Sequence, residues 1–320
     1  MLIMDGTEIK KLALGGQEFI KKPEPTDYWD FYIGTIIYCI ALSSDEKYLY
    51  IFYSSGIQKV DNNGKLIWTY KYNGSSNIIT GTVTSDGYVL FSDSDRLYSL
   101  KDNGQNVVAI NSVSFGNTVT ALAAKVASET YAGINNSDVC LCDMTSENIQ
   151  TTNVLFTVES YSYAVTSLTL NDDVLIAASR NGAYIRYYLS TKNHKKSYPF
   201  SGTVSDSNVC SDVSGNQIIC SNGTTAELVL LDIDLNVIKR SYTNVTSFKS
   251  SIFANGYIYT NANSDSQQYA INKFDLNLNP VMGKIARTSS NSSLIYSKSD
   301  DALYFAHSTY YAGKFATYFA

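Results

Sequence analysis

The chain has 320 residues, 44% of them apolar, and a net charge of −5. It is long enough to bury a sizeable core as one large domain or two ordinary ones. No dense Lys/Arg block supplies the positive surface that phosphate-backbone binding needs, and no apolar run reaches the length of a membrane-spanning helix, so nucleic-acid binding and membrane insertion are not expected.

The first residues meet an acid at Asp5, too soon for the apolar stretch of a secretory signal. Two short β-like runs then flank Gly15-Gly16, the pattern of a hairpin turn. The linker Lys21-Lys22-Pro23-Glu24-Pro25 carries two of the four prolines and favours an extended connection. Residues 1–22 therefore read as a small hairpin-like appendage, and 23–320 as the main domain.

From there a unit recurs about every 41 to 48 residues. It reads apolar–Asp–x–x–Gly/Asn–x–apolar and follows two β-like runs each time. Its clearest copy is Val60-Asp61-Asn62-Asn63-Gly64-Lys65-Leu66-Ile67-Trp68; others begin at Leu100, Leu231 and Phe274, with weaker ones at Leu141 and Tyr188. A period of this size with strand signals and no long helical pattern predicts a β-propeller of four-stranded sheets. In strands named A (inner) to D (outer), the first repeat places A near 35–42, B near 48–53, C near 57–61 and D near 66–72. The Asn63-Gly64 step is a strong hairpin signal between C and D.

Later A strands are expected near 80–84, 119–124, 165–170, 208–213, 250–254 and 293–297, which makes seven repeats. The last offers A, B (302–307) and C (314–320) but no D. An unpaired outer edge invites association with other chains. Asp27-Tyr28-Trp29-Asp30-Phe31-Tyr32-Ile33, at the right distance before the first A strand, is predicted to supply that D strand. The fold class is all-β: a seven-bladed propeller closed by an N-terminal strand.

Chemistry is sparse. The only histidines, His194 and His307, have no evident partners for nucleophilic or metal work. Asp93-Ser94-Asp95, Asp172-Asp173 and Asp300-Asp301 fall in turns, where carboxylates cap backbone N–H groups more readily than they assemble a calcium site. The five cysteines lie in apolar runs and read as reduced, buried residues of a protein folded in a reducing cytoplasm. Cys140 and Cys142, two apart on a strand, share one face. No catalytic, metal or cofactor site is expected.

Binding residues are sought instead among the D–A and B–C loops, which share one propeller face. Tyrosine among Ser, Asn and Gly makes adaptable contact surfaces at low ordering cost. The candidates are Tyr161, Tyr163, Arg180, Asn181, Tyr310 and Tyr311, with 261–268 as a further loop.

Two resemblances add to this. Asp61, Gly64, Lys65 and Trp68 match the blade-closing pattern of quinoprotein-like propeller repeats, but Ala109, Ser241 and Lys284 near the other turns do not. The match implies the fold and no quinone. Residues 5–19, Asp5 to Phe19, resemble N-terminal segments of tail, baseplate and fibre-associated proteins of phages of low-GC Gram-positive bacteria. This implies a non-enzymatic virion protein, attached to other virion proteins through 1–22 and recognising host cell-wall polysaccharide or neighbouring tail proteins. An intracellular protein-interaction scaffold and a carbohydrate-active hydrolase are the alternatives.

Overall fold

The computed structural model describes residues 28–145, 153–159, 163–200, 227–242, 245–264, 267–283, 293–307 and 310–316, and the strands Ile3–Met4, Thr7–Glu8, Lys11–Leu14, Gln17–Ile20, Ser207–Ser211 and Ile218–Asn222. These residues form strands and turns, and no helix among them is long and apolar enough to cross a membrane. Lys11–Leu14 pairs with Gln17–Ile20 around Gly15-Gly16, as the hairpin signal predicts. Ile3–Met4 pairs with Thr7–Glu8, which the sequence did not announce.

Six antiparallel sheets are each built of four consecutive strands, spanning 37–71, 80–114, 119–157, 165–197, 207–242 and 245–283. They are called here the first to sixth blades. A further four-stranded sheet is composite: Leu294–Ser297, Ala302–His307 and Tyr311–Ala316 supply A to C, and Tyr28–Tyr32 supplies D. The A strands of successive blades touch in turn, and that of the composite blade touches that of the first, which closes the ring.

Burial explains the sequence signal. The first blade's B strand, Tyr48–Tyr53, is covered on both faces and reads as a continuous apolar run. Its D strand, Leu66–Lys71, is mostly exposed, with Trp68 buried. The core lies between blades: Ile37, Leu49, Ile51 and Val60 of the first pack on Tyr304, Ala306 and Ala312 of the composite blade, with Trp29 and Phe31 at the margin.

The recurrent aspartate sets the C–D turn. Asp61 accepts from the backbone N–H groups of Asn63 and Lys65, and Asp232 and Asp275 repeat the same pair of bonds. Each turn needs a left-handed residue three places on, filled by Gly64, Leu235 and Leu278. Leu235 and Leu278 are buried in the inter-blade core, where packing offsets the backbone strain. At Gly64 a Cβ would stand 3.0 Å from the Trp29 ring.

Trp29 shows why Tyr28–Tyr32 fits its place. In the first blade Tyr50, Lys59 and Trp68 lie side by side on B, C and D. In the composite blade Tyr304, Lys314 and Trp29 occupy the same register. The Tyr–Trp contact repeats, 5.8 Å at 65° in one and 6.0 Å at 67° in the other. Both lysines reach into the C–D turn of the next blade: Lys59 Nζ is 2.8 Å from Asp102, and Lys314 Nζ is 3.3 Å from the Asn62 carbonyl, while also pairing at 2.8 Å with Asp300 in the A–B turn of its own blade. Arg186 repeats the reach, donating to the Ile233 carbonyl at 2.9 Å.

Three boundaries differ from expectation. The sixth blade's A strand runs Val245–Ala254, longer than predicted, with register shifts that absorb the extra residues. Residues 261–268, expected as a loop, are mostly the ends of Tyr257–Ser264 and Gln267–Phe274. The last C strand begins at Tyr311 rather than Lys314, because pairing with His307 starts straight after a short turn.

A tyrosine-rimmed loop face

Antiparallel order places the end of each D strand, the following A strand's start and the B–C turn on one side of the disc. Among the described residues, the strongly exposed tyrosines are Tyr32, Tyr163, Tyr198, Tyr242, Tyr310 and Tyr311. All lie on this side. Tyr32 and Tyr242 are the last residues of their D strands, and Tyr198 follows its D strand directly. Most exposed aliphatic residues sort the other way: Leu66, Val108, Val154, Ile238 and Val281 stand at the first or second position of a D strand, on the opposite rim, whereas Ile36, just before the first A strand, is exposed on the tyrosine side.

Two groups of the predicted residues are brought together, on different blades. On the composite blade Tyr310 and Tyr311 flank Tyr32, with ring centroids 6.1 and 5.1 Å away. The Ile33 N–H donates to the Tyr310 carbonyl at 2.7 Å, which ties the two chain ends together here. Gly34, at φ +81, then turns the chain into the first A strand. Tyr32 was missed as a binding candidate because its partners lie some 280 residues away in sequence; its only signal was a place at the end of a predicted D strand.

The second group joins the third and fourth blades. Ser137, buried in a B–C turn, donates to the Tyr163 carbonyl at 2.6 Å and accepts from its N–H at 2.9 Å, so the ring is held outward on a fixed backbone. Arg180 is exposed and its N–H donates to the Ala164 carbonyl. Asn181 is engaged in the turn, its Oδ1 accepting from the Ser179 hydroxyl. Tyr161 lies outside the described residues.

Below them Glu159 is buried, with Lys196 Nζ 3.1 Å from its Oε1. Burial raises its pKa, but hydrogen bonds from Tyr198, Lys196 and Asn181 more than offset this and hold the carboxyl below the usual glutamate range. Lys196 is shifted up: burial works against its charge, and the bonds to Tyr198 and Glu159 outweigh it.

The acid pairs act in turns and between blades. Asp93 accepts from the Tyr72 and Tyr98 hydroxyls and the Arg96 N–H. Asp173 accepts from Ser190, and Asp300 from Tyr304 and Lys314. Tyr72 is the first blade's counterpart of the exit tyrosines, but here it is bonded into the next blade. No group of three or more His, Cys, Asp and Glu among the described residues is placed to hold a metal ion. Cys140 and Cys142 share one core cluster, as their spacing predicts.

No protein-family profile matches the chain, and no curated protein matches its sequence. Solved structures do. The WD40 repeats of RRP9 superpose with a TM-score of 0.75 at 13% identity, covering 91% of this chain and 98% of that one. The fold is a β-propeller. U3-55K gives 0.74 at 13% identity over 92% of this chain and 100% of that one. BamB from Moraxella catarrhalis gives 0.61 at 13%, over 91% and 89%. At such identity the likeness shows the propeller architecture alone.

Proposed function

We propose that this chain is a non-enzymatic binding propeller, a ring of seven four-stranded blades that presents its tyrosine-rimmed face to a partner. The observation that carries this reading is the one-sided placement of the exposed tyrosines. Tyrosine offers an apolar face and a polar tip at low ordering cost, which suits contact surfaces. Many propellers serve as interaction scaffolds, and the coarse reading needs nothing more. The finer reading is a phage tail or baseplate component that meets host cell-wall carbohydrate or neighbouring tail proteins. It rests on the resemblance of residues 5–19 to virion attachment segments.

The closing strand Tyr28–Tyr32 begins on the opposite face and ends on the tyrosine face. Co-sedimentation of the protein with tail particles tests the virion role. Retention that survives Tyr→Ala changes on the rim but is lost without residues 1–22 supports it. A protein that associates with no particle and no partner sinks the reading.

A further inference from the structure

We infer that a groove between the third and fourth blades, on the rim opposite the exposed tyrosines, is a docking site for a tryptophan side chain carried by an extended segment of a partner protein.

The groove holds about 520 Å³ and stands where two other blades are filled from within. In the first blade Tyr50, Lys59 and Trp68 lie side by side, and the composite blade repeats them as Tyr304, Lys314 and Trp29. The same register in the third blade reads Tyr131, Leu141 and Asn153. The tyrosine is kept, and the long cation and the indole are gone. Two places before the tyrosine, Tyr48 of the first blade gives way to Glu129. All four of these third-blade residues line the groove, with Tyr187 and Leu189 of the fourth blade. Sites that take small ligands run to roughly 300–1,000 Å³, so the space is ample for one indole.

The filled blades show what fits there. Each indole meets its tyrosine edge to face, at 5.8 and 6.0 Å. Its Nε1 donates into the C–D turn of the next blade, from Trp68 to Asp102 at 3.3 Å and from Trp29 to the Asn62 carbonyl at 3.0 Å. Leu189 stands one place past its C strand, as Asn62 stands past its own, and so holds the accepting position beside the groove. Both tryptophans of the sequence are already built into blades, so the ring that docks comes from another molecule.

The neighbouring edge and charges define what carries the ring. The outer strand Asn153–Thr157 has neither a charge nor a proline. The second blade's D strand shares this, while the other five carry Asp30, Lys71, Lys195, Lys239 or Pro280. An edge without such guards can accept an added strand, and of these two the third blade's adjoins the groove. Glu129 and Lys192, both exposed, add one charge of each sign to the lining. A segment with a base and an acid flanking its ring complements them.

The experiment uses the full chain with methyl-labelled leucines. The probes are a capped fluorescent peptide, Lys-Thr-Val-Trp-Val-Thr-Glu, its versions with Leu or Ala in place of Trp, and N-acetyltryptophanamide as the free ring. The Trp peptide should bind about tenfold tighter than the Leu version and shift the methyl signals of Leu141, Leu155 and Leu189. The free ring should shift the same signals at higher concentration. Asn153→Trp fills the groove from within, so it should raise the unfolding midpoint and weaken the Trp peptide about tenfold or more. Should that variant not fold, Leu189→Ala carries the test, with about a threefold loss of affinity expected. Equal binding of the Trp, Leu and Ala peptides, shifts only at leucines outside the groove, binding of the free ring but not the peptide, or full affinity in the variants overturns the inference.

Discussion

Trp29 and Gly64 form the most informative pair of residues. The Trp29 indole donates to the Asn62 carbonyl at 3.0 Å, and its ring covers Gly64 where a side chain would collide. Trp29→Ala should cost about 3 kcal/mol, the usual range for removing a packed tryptophan. Gly64→Ala should cost about 2 kcal/mol, because φ is +80 and the ring must shift. Urea midpoints of both variants check this, and the pair should be less than additive because one contact is lost in both. The cysteines make a second test. Burial pushes the thiols of Cys39, Cys142 and Cys210 up to about 12 and that of Cys140 to about 11. These four should resist a thiol reagent in the native protein at pH 8 and react on unfolding.

At the scale of elements, the strand C cation links one blade to the next turn. The side chains of Lys59 and Asp102 are only 4% and 6% exposed, so each depends on the other for its solvation. Lys59→Met should destabilise by about 3 kcal/mol, since it strands a buried carboxylate, and adding Asp102→Asn should restore part of the loss. The turns and strands were largely legible in the sequence, because Asp-x-x-Gly text and two-sided apolar runs are local. Tyr28–Tyr32 was legible as the missing D strand from spacing alone. Its match to the first blade was not: that Lys314 stands where Lys59 does, and Trp29 where Trp68 does, is a matter of register between strands at opposite ends of the chain. The tyrosine rim was half legible for the same reason. Tyr163, Tyr310 and Tyr311 fell in recognisable loop text, whereas Tyr32 and Tyr242 end strands, and only the sheet order shows which way those ends face.

At the scale of the whole molecule, stability should fall in acid through the carboxylates paired with the strand C lysines. Burial raises the pKa of Asp102, but bonds from Lys59, Tyr50 and the Gly104 N–H outweigh it and leave the group below its ordinary value. Asp300 is lowered in the same way by Lys314 and Tyr304 against burial. A carboxylate depressed in the folded state contributes stability above its unfolded pKa of about 3.9 and loses it as pH falls through the folded value. Melting temperatures should therefore hold from neutrality to about pH 5 and drop below about pH 4, less steeply in Lys59→Met.

The ring itself depends on the pairing of the two chain ends. Tyr32 and Tyr311 are register partners, within the reach of a disulfide for paired strands. The double variant Tyr32→Cys/Tyr311→Cys, oxidised under native conditions and mapped by mass spectrometry, tests the closure directly. A monomer with residues 32 and 311 joined, and a raised unfolding midpoint, is the predicted result. Bonds that form only between molecules, or none at all, would contradict it.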